Sequence, residues 1–113
     1  MHELSLSINT VDTVVEQAEK QGFKRVVSVT LTIGTLSCIE PQALATGFEF
    51  ACRDTIAEGA QLKIESVAAR VWCLDCQQHV EIPERGVSCP RCHGYQLNVE
   101  TGEELMIKHI EVE

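Results

Sequence analysis

Apolar residues recur three and four positions apart from the start of the chain. Leu4, Ile8, Val11, Val15 and Ala18 fall on one helical face and Gly22 stops the run, so residues 3–21 predict an amphipathic helix. The period then changes. Across residues 24–33, Val27, Val29, Leu31 and Ile33 point one way and Ser28, Thr30 and Thr32 the other, which predicts a strand with one wet face. Ser37-Cys38-Ile39-Glu40 has capping-box spacing and Pro41 suits a first helical turn, so a second helix is expected to run to about Arg53, burying Leu44, Phe48 and Cys52. Gly59 separates it from a strand over residues 61–67 with Leu62 and Ile64 inward. A closing strand is expected over residues 105–112, where a shift of apolar phase between Ile107 and Ile110 suggests a bulge.

Between the last two strands lies a segment with four cysteines and too little apolar surface to bury a further strand by itself. The closing strand is therefore expected to return to the first sheet. The predicted class is α+β: a small mixed three-stranded sheet with two helices, carrying an inserted four-cysteine domain that resembles a zinc ribbon. The expected boundaries are residues 1–67 plus 100–113 for the α/β domain and 68–99 for the insert.

Composition narrows the partners. The chain has 113 residues, of which 44% are hydrophobic and only 4% aromatic, so a compact core of Val, Leu, Ile and Ala is expected. No segment is long and apolar enough to span a membrane, and the start lacks the basic flank and apolar run of a secretory signal. Six cysteines without an export signal point to the reducing cytoplasm, where paired cysteines hold metal more often than they form disulfides. Nine basic against 17 acidic residues leave a net charge of −8, which repels phosphate backbones. Within residues 70–99, Arg70, Arg85 and Arg91 only balance Asp75, Glu81 and Glu84, so the insert has no basic stripe for a nucleic acid.

Cys73 and Cys76 form one Cys-x-x-Cys turn, and Cys89 and Cys92 form another. The spacing suits one tetrahedral ion held by four thiolates at about 2.3 Å. Pro90 and Gly94 favour a tight backbone in the second turn. Zinc is the expected ion; iron in a rubredoxin-like cage uses similar turns, and spacing does not separate the two. Four thiolates saturate the ion and leave no position for water, which makes the site structural and gives the chain no catalytic residue of this kind. His79 and His93 lie close by in sequence; they read first as exposed loop histidines and second as auxiliary ligands. Cys38 and Cys52 read as buried free thiols, and His109 as a wet-face strand residue.

The amino terminus offers a second donor set. The α-amine of Met1, the backbone amide and imidazole of His2, and the amide or carboxylate of Glu3 can close adjacent chelate rings on one ion, a planar nitrogen set suited to Ni(II) or Cu(II). A histidine so near the start also reads as part of a solvated terminus.

Together these residues resemble the HypA/HybF family of hydrogenase nickel-incorporation proteins. The likeness begins at Met1-His2-Glu3-Leu4-Ser5, continues through Ile33-Gly34, Leu36-Ser37, Glu40, Leu44, Phe48-Glu49 and Leu62-x-Ile64-Glu65, takes in both Cys-x-x-Cys turns, and ends at Gly102-x-x-Leu105 and Ile110-Glu111-Val112. It implies a nickel metallochaperone, not an enzyme, with Ni(II) as transient cargo on His2 assisted by Met1 and Glu3, and with structural Zn(II) on Cys73, Cys76, Cys89 and Cys92. It further implies a HypB-type GTPase and the large subunit of [NiFe]-hydrogenase as partners, with no nucleic acid and no membrane insertion. A homodimer is left open.

Overall fold

The computed structural model describes residues 2–113, the side chain of His2 excepted. The chain runs α1 (His2–Lys20), β1 (Val26–Gly34), α2 (Pro41–Cys52), β2 (Gln61–Val67), β3 (Ala69–Cys73), β4 (Gln78–Ile82), β5 (Leu97–Val99) and β6 (Leu105–Val112). One three-stranded sheet has the order β2-β1-β6 and the other β4-β3-β5. The two helices, the sheet and a four-cysteine insert agree with the architecture expected from the pattern.

The chain divides into two compact units. The first comprises Met1–Leu31, Ile39–Glu65 and Ile107–Glu113, and the second Thr32–Cys38 and Ser66–Met106. The span 68–99 lies wholly within the second unit, which also takes in residues 66–67 and 100–106 on either side of it and Thr32–Cys38, within the span expected for the α/β domain.

In the first unit α1 packs on α2. The buried face of α1 differs from the predicted one: Ser7, Thr10, Val11, Val14 and Ala18 are buried, while Leu4 and Ile8 are 40% and 44% exposed. The helix is turned because a polar contact sets its seat. Ser7 Oγ donates to the Leu44 carbonyl at 2.9 Å, and Gly47 leaves room for Ser7 and the Leu4 backbone beside it. Apolar periodicity counts Leu4 and Ile8 but is blind to a small hydroxyl at a close crossing.

α2 begins where Pro41 predicts, but the cap is Glu40 rather than the expected box starting at Ser37. The Glu40 carboxylate accepts from the backbone N–H groups of Gln42 (3.2 Å) and Ala43 (2.7 Å), satisfying orphan donors of the first turn. Cys38, expected to be buried, is exposed with φ of +60° in the segment before this cap.

β1 is the central strand, and its polar face is drier than alternation predicts. Ser28 and Thr30 are buried because neighbouring strands fold long polar side chains over them. Ser28 Oγ donates to Glu111 Oε1 at 2.7 Å, Lys63 Nζ donates to the same oxygen at 3.5 Å, and Thr30 Oγ1 lies 3.2 Å from His109 Nε2. Lys108 Nζ reaches Glu65 Oε1 at 2.8 Å. The Ser28 hydrogen bond holds the Glu111 carboxyl below its ordinary range, as the Lys108 hydrogen bond does for Glu65.

The second unit has its own apolar cluster of Leu36, Ala69, Val71, Cys73, Val80, Ile82 and Cys89. Its three strands β3, β4 and β5 lie in the segment where apolar alternation predicts no strand. Each is short, and two of them flank cysteine turns whose spacing dominates the sequence signal.

Candidate metal centres

The first cysteine turn sits at the tip of a hairpin. β3 ends at Cys73 and pairs antiparallel with β4, with Cys73 opposite Gln78. Gln77 donates its N–H to the Cys73 carbonyl at 2.8 Å and adopts φ of +55°, so the chain reverses while Cys73 and Cys76 face the same point.

The second turn closes in the same manner. His93 N–H bonds to the Cys89 carbonyl at 2.9 Å, and Cys89 N–H bonds to the Gly94 carbonyl at 2.7 Å. The left-handed residue is His93, with φ of +65°, rather than Gly94. A Cβ at Gly94 would meet the exposed Asp75 carboxylate from the first turn, which would have to swing aside. Leu74 N–H to the Gln96 carbonyl (2.9 Å) ties the two loops together.

The four Sγ atoms lie within 4.8 Å of one another, with Cys73–Cys92 at 3.6 Å and Cys76–Cys89 at 3.9 Å. A tetrahedral thiolate site with bonds of about 2.3 Å has edges of about 3.8 Å, so the donors already stand at ligand spacing. Backbone donors favour charge on the first cysteine of the second turn. N–H groups at Cys92 and Arg91, the latter 3.4 Å from Sγ, pull the Cys89 thiol down to about 7. Burial and the adjacent thiols push Cys76 up to about 12. Four thiolates in this space need a cation among them, which is the chemistry of a soft metal cage.

The cage consists of the four cysteines alone among the described residues. His79 is engaged elsewhere: its Nε2 lies 2.9 Å from Glu100 Oε1 and its ring meets Trp72 edge-on at 4.8 Å. His93 is exposed.

Met1 and the side chain of His2 lie outside the described residues. The backbone of His2 opens α1, and Glu3 is described: its Oε2 accepts from the Glu40 N–H at 3.4 Å. The start of α1 is thus held against the cap of α2, a contact that sequence spacing gave no means to find because 37 residues separate the partners.

A family described as hydrogenase/urease nickel incorporation, metallochaperone, HypA, matches residues 1–112. The chain is 48% identical over 113 residues, all of both chains, to the hydrogenase maturation factor HybF of Salmonella typhimurium (strain LT2), and equally to HybF of Escherichia coli (strain K12). It is 45% identical over 112 residues to the hydrogenase maturation factor HypA of Aeromonas salmonicida, covering 99% of each chain. Among solved structures it is similar to the Ni metallochaperone HypA of Helicobacter pylori, with a TM-score of 0.68 at 20% identity over 97% of this chain and 96% of that one. A second solution structure of a HypA protein gives a TM-score of 0.74 at 22% identity, covering 99% and 96%. At these identities the two structures speak for the fold.

Proposed function

The chain belongs to the HypA family of hydrogenase/urease nickel-incorporation metallochaperones, and from that premise we propose that it carries Ni(II) on its amino terminus to the large subunit of a [NiFe]-hydrogenase. The observation that carries this reading is the family match across residues 1–112, which takes in the terminal donors and the cysteine cage together. Hydrogenase is preferred to urease as the destination because the relatives at 45–48% identity are named hydrogenase maturation factors.

The nickel ligands are the Met1 amine, the His2 amide and imidazole, and the Glu3 amide. The first turn of α1 suits this role. Backbone N–H groups there have no carbonyl one turn earlier, so deprotonating them for a metal breaks no helical hydrogen bond. An amide anion also places negative charge at the positive end of the helix dipole. The Glu3 carboxylate, occupied at the Glu40 N–H, supports the terminus and leaves the backbone nitrogen as the donor from that residue. A chelate with few ligands from a rigid core can be dismantled when one or two donors change partner on docking.

The cysteine cage takes Zn(II) as a permanent staple, which when bound would offset half the charge of the four thiolates and lock the two turns. Cys73, Cys76, Cys89 and Cys92 hold it, and His79 and His93 stay outside its shell. Residues 68–99 act as the zinc-binding part, and residues 1–67 with 100–113 as the nickel-binding part. A HypB-type GTPase is the partner that accompanies delivery, in the cytoplasm.

Nickel titration of the native chain beside a chain extended by two residues before Met1 tests the chelate. Extension removes the α-amine from the ring system and keeps every side chain. The expected result is a large loss of nickel affinity on extension and its abolition by His2→Ala, with zinc content unchanged in both. Equal affinity of the native and extended chains overturns the terminal chelate.

A further inference from the structure

Positive charge in this acidic chain is mostly neutralised in place. Arg25, Arg53, Lys63, Arg85 and Lys108 each lie within 4.0 Å of a carboxylate. In the second unit Arg85 is held by Glu103 at 2.9 Å, whereas Arg70 and Arg91 have no carboxylate at ion-pair distance among the described residues. The Arg91 guanidinium donates to the neutral Gln78 Oε1 at 2.8 Å. Both arginines are exposed, and both line one groove of about 480 Å³, together with His79, Val80, Glu81 and Pro90.

The groove borders an outer strand. Its wall includes His79, Val80 and Glu81, three consecutive residues of β4, whose side chains alternate between faces. His79 and Glu81 lie on the face that carries Arg70, the register partner of Glu81, and Val80 lies on the other face, so residues of both faces of β4 border the groove. β4 is an outer strand in the order β4-β3-β5, so one row of its N–H and C=O groups has no ladder partner in the sheet. No lysine or proline within β4 blocks that edge. Pro90 and Arg91 of the second cysteine turn wall the groove, and Arg70, on β3 opposite Glu81, supplies the second guanidinium.

We infer that this edge binds an extended acidic segment of a partner protein, added as a further strand beside β4, with its carboxylates held by Arg70 and Arg91. Backbone hydrogen bonds give affinity and the two arginines select for acidic side chains. Glu81 on the same wall weighs against densely anionic ligands such as nucleic acid, as does the net charge of −8. The inference rests on the second unit alone and stands or falls independently of the nickel chelate.

The test uses the full-length, zinc-loaded protein and a capped six-residue peptide alternating glutamate and valine, followed by backbone amide NMR. The expected result is saturable binding with shifts centred on residues 78–82, weakened by raising salt and about tenfold weaker in an R70Q/R91Q double variant. Arg85→Gln, already neutralised by Glu103, should bind as the native chain does. An R70E/R91E variant should instead prefer the lysine–valine counterpart, a gain that misfolding cannot produce. Failure of the acidic peptide to bind overturns the inference, as do shifts lying away from β4, equal binding of the lysine peptide to the native chain, or tighter binding of a short oligothymidylate.

Discussion

At Cys52 the thiol lies beneath α2 with 2% of the residue exposed, and burial pushes its pKa up to about 11 from 9.0. The folded state therefore keeps the proton that the unfolded chain gives up near pH 9. Stability should be unaffected below that value and fall as pH rises from 9 towards 11. Cys38 is exposed, and so is Cys92, but a metal bound to the four cage thiols would mask their sulfurs from alkylation. Brief iodoacetamide treatment of the zinc-loaded protein at pH 8, read by peptide mass spectrometry, should label Cys38 and spare Cys52 and the cage. Labelling of Cys52 at the rate of Cys38 would contradict the burial of its thiol. The sequence treats Cys38 and Cys52 alike because neither has a cysteine partner at metal-ligand spacing. Only the seat of α2 and the exposed turn before it separate them.

The crossing of α1 and α2 depends on a residue with no side chain. A Cβ at Gly47 would stand 2.7 Å from Ser7 Oγ and 3.1 Å from Ser7 Cβ. Gly47→Ala thus forces Ser7 to surrender its bond to the Leu44 carbonyl or α1 to move outward. The lost bond costs about 1 kcal/mol and overpacking about 1–3 kcal/mol, while alanine returns up to about 1 kcal/mol of helix propensity. A net loss of about 1–2 kcal/mol is expected in urea unfolding followed by circular dichroism, with the cage retaining its zinc. The helices themselves were legible from apolar period, Pro41 and Gly22. Their packed face was not: the hydrophobic pattern of α1 points to Leu4 and Ile8, and the buried side is set by Ser7, Thr10 and Val14. The same holds for β1, where polar Ser28 and Thr30 are buried by side chains from strands that are distant in sequence.

At the scale of the molecule, two sets of buried residues rest on different physics. Val11, Val14, Ala18, Val29, Leu31, Leu44 and Phe48 give the first unit a conventional apolar core. The second unit has short strands and places Cys73 and Cys89 inside its own cluster, so its order depends on what binds their sulfurs. Metal binding there competes with protons, since every ligand must be a thiolate; affinity should rise with pH, more steeply below about 7, where Cys89 must also give up its proton, with Cys76 surrendering its proton only to the ion. Chelator at pH 6 should therefore strip the cage faster than at pH 8. Hydrogen exchange should then show protection lost across β3, β4 and β5 and retained in α1 and α2. Uniform loss across both units would show that the helices depend on the cage as well.

What the sequence by itself determined was whatever local spacing encodes: two helices, the three strands of the first sheet, four ligands for one metal, and a terminus able to chelate another. Those features are short-range, fixed by residues a few positions apart. The tertiary structure decided which faces are buried, that Glu40 both caps α2 and holds Glu3, that the Asp75 carboxylate comes up against Gly94, and that Arg70 and Arg91, neither in an ion pair among the described residues, line one groove with residues of β4. Each of these joins residues brought together only by chain reversal or sheet pairing. Composition counted the arginines as balanced by acids, because it sums charge over a segment. Pairing depends on which side chains fall within reach, and that is a property of the fold.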